Sequence, residues 1–234
     1  MSILSSSDTP NDFYIIEKQT LQLKTIEFVY HQLSLWRDDI ERQEEEAEER
    51  LNSQLCKFLN SRARYKFEMV HFNHEEYQTG RRRVDISITP ENTMVVEGKY
   101  YSIYDPFLVL ECKRLTTILK DREKEYVTGG EKKSGGIQRF KLGLHGAELD
   151  LVVMIGYVQD NTLDYWFGKV NEWISDLACR KATDETCTWW MEEKLRLFDL
   201  NAMKEKGRCR SIHSRMIKSD TKITIHHLWI VMTK

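Results

Sequence analysis

Residues 105–114 of the chain read Asp-Pro-Phe-Leu-Val-Leu-Glu-Cys-Lys-Arg, an apolar run that continues directly into Glu111, Cys112 and Lys113. The run is short, contains aromatic and β-branched side chains and follows a proline, which predicts a buried strand rather than a helix. Because side chains alternate along a strand, Glu111 and Lys113 share one face and Cys112 lies on the other. A buried carboxylate and a buried ammonium are costly unless they are paired or bind a metal, so this strand is a candidate functional site. The alternative is a surface ion pair between Glu111 and Lys113.

A second strand that carries an acid is predicted upstream. Residues 83–88 read Arg-Val-Asp-Ile-Ser-Ile and place Asp85 between apolar neighbours. The intervening residues 93–104 contain two β-prone runs around Glu97-Gly98-Lys99 and are predicted to form an inserted hairpin. This hairpin accounts for the long separation between Asp85 and Glu111 in the sequence.

The predicted order of the core elements is helix, three strands, helix and strand. The expected segments are a loose arm at 1–14, a long helix within 15–60 with at most one break, strands near 65–74, 83–89 and 107–113, a polar loop at 119–136, a helix starting near Gly136, an apolar strand at 149–158, helices at 167–178 and 188–198, and a strand at 222–232 that pairs with 208–215. A strand that is almost entirely apolar, such as 149–158, is typical of a sheet covered on both faces.

An apolar stripe supports the long N-terminal helix. The stripe follows the three- and four-residue spacing of one helix face, at Ile26, Val29, Leu33, Trp36 and Ile40, and it resumes from Ala47 to Phe58. The charged run at 38–50 is interpreted as the solvated face of the same helix. The stripe either packs on its own domain or forms an interface with another subunit.

Composition limits the class of protein. The chain has 234 residues with a hydrophobic fraction of 41% and six Trp, which is typical of one folded domain with additions or at most two small ones. Its five cysteines are odd in number and contain no CxxC pair, so we expect neither a disulfide framework nor a zinc site, and we expect a reducing cytoplasm. No apolar run approaches the roughly 20 residues needed to cross a bilayer, so no membrane association is expected. With a net charge of −2, phosphate binding would depend on local basic patches.

An acid on one core strand and Glu-X-Lys on the next resemble the pattern of the PD-(D/E)xK, or restriction-endonuclease-like, nucleases. Val84 stands where that family often has a proline before the first acid. The resemblance implies an α/β fold with a mixed central sheet flanked by helices in the order αβββαβ, over about residues 40–160. Residues 1–234 would then form one nuclease domain, with residues 164–234 as a family-specific extension.

The resemblance also implies a metal site. Asp85, Glu111 and the backbone carbonyl of Cys112 would bind Mg²⁺ or Mn²⁺, cations that take oxygen ligands. Lys113 would orient the attacking water and compensate charge. The family often adds a Glu from the first helix, for which Glu48 and Glu44 are candidates. Glu48 is preferred because it lies closer to the following strand, and the alternative is that it is a plain surface acid.

Further residues are carried over or proposed as contacts. Some branches of the family place a Gln beside the site on the helix after the Lys strand, and Gln138 opens that helix here; the alternative is an ordinary helix start. The predicted phosphate contacts are Arg81, Arg82, Arg83, Lys132, Lys133 and Arg139. The polar loop at 119–136 is expected to be mobile without nucleic acid, and Tyr126 within it is a weaker candidate contact.

Taken with the resemblance, these features predict a metal-dependent nuclease that acts on DNA in a restriction or anti-phage system. Since no separate DNA-reading segment is evident, target choice is expected to come from a homo-oligomer or a partner protein. The alternative is a non-catalytic subunit that retains a nuclease fold as a nucleic-acid binder or scaffold. The intact acids and lysine disfavour that alternative, and a divalent-metal cleavage assay separates the two.

Overall fold

The computed structural model describes residues 20–77, 82–96, 98–118, 120–197, 205–217 and 221–233. The helices are α1 (Thr20–Arg37), α2 (Glu48–Lys66), α3 (Gly136–Lys141) and α4 (Leu163–Ala178). The strands are β1 (Val70–Tyr77), β2 (Arg83–Pro90), β3 (Met94–Val96), β4 (Lys99–Tyr101), β5 (Leu108–Leu115), β6 (Leu151–Val158), β7 (Arg196–Leu197), β8 (Lys206–Ser214) and β9 (Lys222–Val231). Short 3₁₀ helices lie at Lys120–Tyr126, Gly130–Lys132 and Met191–Glu193.

A mixed sheet of seven strands forms the centre of the molecule, in the order β1-β2-β5-β6-β9-β8-β7. The neighbours β1, β2 and β5 are antiparallel, β5, β6 and β9 are parallel, and β8 and β7 return antiparallel. Strands β3 and β4 pair separately as the predicted hairpin. The predicted α/β class is therefore confirmed, as is the pairing of the two C-terminal strands.

Helices cover both faces of the sheet and divide the core into two layers. Every residue of β6 is buried. Its odd-numbered residues, such as Val153 and Ile155, pack in one cluster with α1 and α2. Even-numbered residues, such as Val152 and Met154, pack in the other cluster with α3 and α4. This two-sided burial explains why the β6 sequence is continuously apolar rather than alternating.

The N-terminal helical segment is broken once, between Arg37 and Glu48. The charged run was predicted to be a helix face, and its residues 38–47 instead connect α1 and α2, so that part of the prediction is wrong. The Glu45 carboxylate accepts the backbone N–H groups of Glu46 and Ala47, which offers this acidic segment a local alternative to helix hydrogen bonds. Ile40 is 99% exposed, so the apolar stripe ends before it.

The remaining apolar stripe of α1 lies inside the chain's own core. Its buried members are Ile26, Val29, Leu33 and Trp36. This face of α1 packs on its own domain, which was the first of the two predicted alternatives. It is therefore not available as an interface with another subunit.

The start of β1 and the segment 188–198 also differ from the predictions. Strand β1 starts at Val70 rather than near residue 65, because α2 continues to Lys66. The segment 188–198, predicted to be a helix, contains only a 3₁₀ turn and β7 within its described part. Trp189 and Glu193 from this segment are buried, so tertiary packing rather than helix periodicity determines its path.

Among the described residues, no helix has the length and apolar character that crossing a membrane requires.

Candidate functional site

The pairing of β2 with β5 brings the two predicted acids together. Ile86 pairs with Leu110 in an antiparallel register, and Asp85 and Glu111 are the residues just beyond this pair, close enough for the Glu111 charge to act on Asp85. At this point the Asp85 Oδ2 atom accepts the Cys112 backbone N–H at 2.7 Å. The Asp85 carboxylate thus takes the place of a backbone carbonyl as the acceptor of this N–H group. The bond fixes the carboxylate beside the end of β5.

Glu111 is completely buried and is surrounded by three basic side chains. Its Oε1 atom lies 3.0 Å from Lys113 Nζ and 2.5 Å from an Arg139 guanidinium nitrogen. Its Oε2 atom lies 2.7 Å from His145 Nδ1. Burial opposes ionisation of this carboxyl, but the charges of Lys113, His145 and Arg139 outweigh it and hold the pKa of Glu111 well below its usual range.

Lys113 lies at the centre of the acidic residues. Its Nζ atom is 2.9 Å from Glu48 Oε1, 3.0 Å from Glu111 Oε1 and 3.0 Å from the Cys112 carbonyl oxygen, to which it donates. Burial favours the neutral amine, but the charges of Glu111, Glu48 and Asp85 reverse this effect and raise the pKa of Lys113. Lys113 therefore remains a cation at neutral pH and is not available as a general base.

Glu48, rather than Glu44, is the helix carboxylate of this cluster. It is the first residue of α2, and its Oε2 atom accepts the Arg114 backbone N–H at 3.1 Å while Oε1 holds Lys113. Glu44 lies in the connection before α2 and lines a different cavity, with Arg37 and Met232. The break between α1 and α2 thus places the N-terminus of α2 over the end of β5, where a carboxylate is also favoured by the helix dipole.

Asp85 carries the opposite electrostatic perturbation from Glu111. Its pKa is raised to about 8, chiefly because burial disfavours the carboxylate and because Glu111 repels a second negative charge. The Lys113 cation lowers the pKa of Asp85 by less than these effects raise it. The pKa of Asp85 is raised while that of Glu111 is lowered, because the nearby cations stabilise the Glu111 carboxylate more than that of Asp85.

The cluster opens into a cleft of about 690 Å³. The lining residues carry charges of both signs and include one exposed tyrosine: Glu48, Glu75, Tyr77, Arg83, Asp85, Lys113, Arg122, Glu125, Ser134 and Arg139. Three arginines and a lysine line the cleft beside four carboxylates, so groups that can bind an anion lie next to groups that can bind a cation.

Gln138 is not brought to the carboxylates. It is fully buried and does not line the cleft. Its Oε1 atom accepts the N–H groups of Gly129 and Gly135, and its Nε2 atom donates to the Gly130 carbonyl and to Asp184. The prediction that Gln138 lies beside the site is therefore wrong, because its amide is fully used in holding the loop that precedes α3.

Of the predicted phosphate contacts, two arginines line the cleft and the others do not. Arg83 lines the cleft, where it binds Glu75 at 2.7 Å and stacks over the ring of Tyr77 at 4.5 Å. Arg139 also lines the cleft. Arg82 is exposed, and Arg81 lies outside the described residues.

The remaining basic candidates, Lys132 and Lys133, lie at the second of two short 3₁₀ helices in the segment after β5. Neither lysine lines the cleft, and their role as nucleic-acid contacts stays a prediction. Lys132 is exposed and Lys133 is partly exposed, so both ammonium groups remain accessible to a polyanion.

Tyr126 anchors this segment rather than contacting solvent. It is 1% exposed, and its hydroxyl accepts from Trp229 Nε1 and bonds His227 Nδ1, each at 2.8 Å. Burial raises its pKa well above the usual value. Tyr126 is therefore too buried to contact nucleic acid, and the predicted polar loop at 119–136 instead contains a 3₁₀ helix that ends in this buried tyrosine.

His145 is a functional candidate that the sequence did not reveal, because the histidines of the chain show no metal-ligand spacing. It is 1% exposed, and its contact with Glu111 joins residues 34 positions apart. A histidine that orients a buried carboxylate has no characteristic spacing, so only the folded arrangement shows it.

Within the described residues, no three or more His, Cys, Asp and Glu side chains form a group able to hold a metal ion. A site here would therefore combine two carboxylates with a backbone carbonyl. No protein-family model, curated protein or solved structure matches the chain.

Proposed function

We propose that the protein is a metal-dependent nuclease that hydrolyses phosphodiester bonds, with Asp85, Glu111, Lys113 and Glu48 as its active site. The observation that carries the proposal is the arrangement of three acidic side chains around one charged lysine that lines an open cleft. Strongly perturbed carboxyls in a cleft favour a catalytic role.

The oxygen donors fit Mg²⁺ or Mn²⁺. The two carboxylates of Asp85 and Glu111 and the carbonyl of Cys112 are hard oxygen ligands that lie together, and such ions retain several waters besides a few protein ligands. The raised pKa of Asp85 supports the assignment, because a cation beside it would relieve the repulsion from Glu111. When bound, such a cation activates water and neutralises charge on the phosphate.

The protein's own side chains would supply orientation and charge. The surrounding acids raise the pKa of Lys113, so its ammonium can hold the attacking water or a phosphate oxygen. Glu48 fixes Lys113 in place, and His145 fixes the Oε2 side of Glu111. Because each of these groups is positioned before substrate arrives, little reorganisation is needed in the reaction.

The substrate is proposed to be nucleic acid, with DNA as the first candidate. The arginines of the cleft match the repeated phosphates of a polyanion, while the net charge of −2 provides no attraction from the molecule as a whole. A place in a restriction or anti-phage system rests on the sequence resemblance alone. Target selection by a second copy or a partner protein rests on the lack of an evident DNA-reading segment in the sequence.

A substrate panel tests the proposal against the non-catalytic alternative. Double-stranded DNA, single-stranded DNA and RNA are each incubated with protein in Mg²⁺, in Mn²⁺ and in EDTA. Cleavage is expected with the metals and not with EDTA. The Glu111→Gln variant should lose at least roughly 100-fold in rate, since changing even the outer partners of metal ligands costs 10–100-fold. Binding of nucleic acid with no cleavage of any substrate in either metal would instead establish a binding subunit.

A further inference from the structure

Glu111 cannot be reached from the cleft as the side chains stand. Glu111 is 0% exposed and does not line the cleft. Lys113 and Arg139, the two cations on its Oε1 atom, do line it. A metal ion that enters from the cleft must therefore displace one of these two side chains before it can contact Oε1.

Arg139 is held less firmly than Lys113. The Lys113 ammonium contacts three oxygen atoms within 3.0 Å, and its side chain is 7% exposed. The Arg139 side chain is 25% exposed. Among the described residues, its terminal nitrogen contacts Glu111 and its Nε atom donates to the Lys133 carbonyl over a long 3.4 Å. Because His145 holds Oε2 from a buried position, the Glu111 carboxylate itself is not free to rotate away.

We propose that Arg139 and a divalent cation compete for the Oε1 atom of Glu111, and that the displaced Arg139 binds the phosphate of the substrate. This inference rests on the proposed function and adds a regulatory step to the same site. A guanidinium binds carboxylate and phosphate oxygens in the same two-pronged manner, so phosphate is a suitable second partner for Arg139. The cleft would then gain its phosphate-binding arginine only when the cation has entered.

The exchange predicts effects of opposite sign when Arg139 is removed. Oε1 becomes free, so the metal should bind more tightly, whereas the phosphate loses a partner and nucleic acid should bind more weakly. An arginine that only supported the local fold would weaken both kinds of binding or neither. The two measurements together therefore separate exchange from a structural role.

The test titrates Mn²⁺ alone by calorimetry into the wild type, Arg139→Gln and Arg122→Gln. Arg122 also lines the cleft but pairs with Glu125, so its variant loses the same charge without freeing Glu111. Arg139→Gln should bind Mn²⁺ roughly tenfold more tightly than Arg122→Gln, equivalent to about 1.4 kcal/mol. Arg139→Lys keeps the charge but not the planar guanidinium, so its Mn²⁺ affinity should lie between those of Arg139→Gln and the wild type. This variant replaces Arg139→Gln in the test if the Gln variant does not fold.

Anisotropy of a labelled DNA duplex in Ca²⁺, which also takes oxygen ligands, supplies the second measurement. Arg139→Gln should bind this DNA more weakly than the wild type. If Arg139→Gln binds Mn²⁺ no more tightly than Arg122→Gln, the exchange is overturned while the proposed function stays in place. Unchanged DNA affinity would overturn the transfer of Arg139 to phosphate. If none of the three proteins binds Mn²⁺, the proposed function fails and the exchange fails with it.

Discussion

Replacing Asp85 by Asn should stabilise the metal-free protein at neutral pH. In the unfolded chain Asp85 is ionised above the ordinary aspartate pKa of 3.8, whereas in the folded protein its pKa is about 8. Between these values the folded state holds a proton that the unfolded state has released, so rising pH favours unfolding. The Asn side chain is always neutral and can still accept the Cys112 N–H, so Asp85→Asn removes this pH dependence without removing the hydrogen bond.

The size of the effect follows from the span of pH. Each pH unit between the two pKa values corresponds to about 1.36 kcal/mol, so the difference at pH 7 is about 4 kcal/mol as an upper figure. The difference should be close to zero near pH 4 and should grow steadily until about pH 8, where the folded protein also releases the proton. Titration of the groups that do not interact with Asp85 is common to both proteins and cancels in the comparison.

Urea unfolding of both proteins in EDTA, at several pH values from about 4.5 to 8, measures this difference. The free energy of unfolding of Asp85→Asn should exceed that of the wild type by an amount that increases with pH. Saturating Mg²⁺ should then stabilise the wild type more than the variant, since a ligand of the folded state adds stability by mass action. A difference that does not change with pH, or a wild type that is more stable than the variant at pH 7, would refute the electrostatic account of Asp85.

Two further predictions concern the segment between β5 and α3. A Cβ at Gly135 would lie 2.3 Å from the Thr128 Cα, so Gly135→Ala should lower the melting temperature through overpacking of roughly 1–3 kcal/mol. Gly168→Ala in α4 meets no atom within 4 Å and should instead stabilise the protein by about 0.5–1 kcal/mol, so equal effects of the two changes would contradict the packing around Gly135. Replacing Lys132 and Lys133 together by Ala should weaken binding of all nucleic-acid sequences alike and flatten its salt dependence. An unchanged salt slope would show that these lysines do not contact phosphates.

The acids and the lysine of the site were predictable because local patterns determine their placement. Alternation along a strand puts Glu111 and Lys113 on one face, and the apolar runs of β2 and β5 mark the strands as core neighbours. The same kind of pattern identified β6, where continuous apolar character reflects burial on both faces. These features depend on only a few consecutive residues.

Contacts that depend on the path of a loop were not predictable. Arg139 and His145 reach Glu111 across 28 and 34 positions in the chain, and the segment between them and β5 is held by Gln138 and Tyr126. The resemblance suggested a place for the Gln138 side chain beside the acids, but its amide bonds backbone and side-chain groups of the loop instead. A helical pattern also cannot show where an acidic run interrupts it, which is why Ile40 was expected in the core and is exposed.

The most direct test of the account is the rate of Mg²⁺-dependent cleavage by Lys113→Met, expressed per folded molecule and compared with that of Lys141→Met. Lys141 forms a buried pair with Glu193 at 2.5 Å and does not line the cleft, so both variants lose a buried lysine beside an acid. Both should be strongly destabilised, since breaking a buried pair leaves an uncompensated charge. The account predicts at least roughly a 100-fold lower rate for Lys113→Met, since removing one preorganised charged donor costs about that much, and an unchanged rate for Lys141→Met. Cleavage by Lys113→Met at the wild-type rate would contradict it.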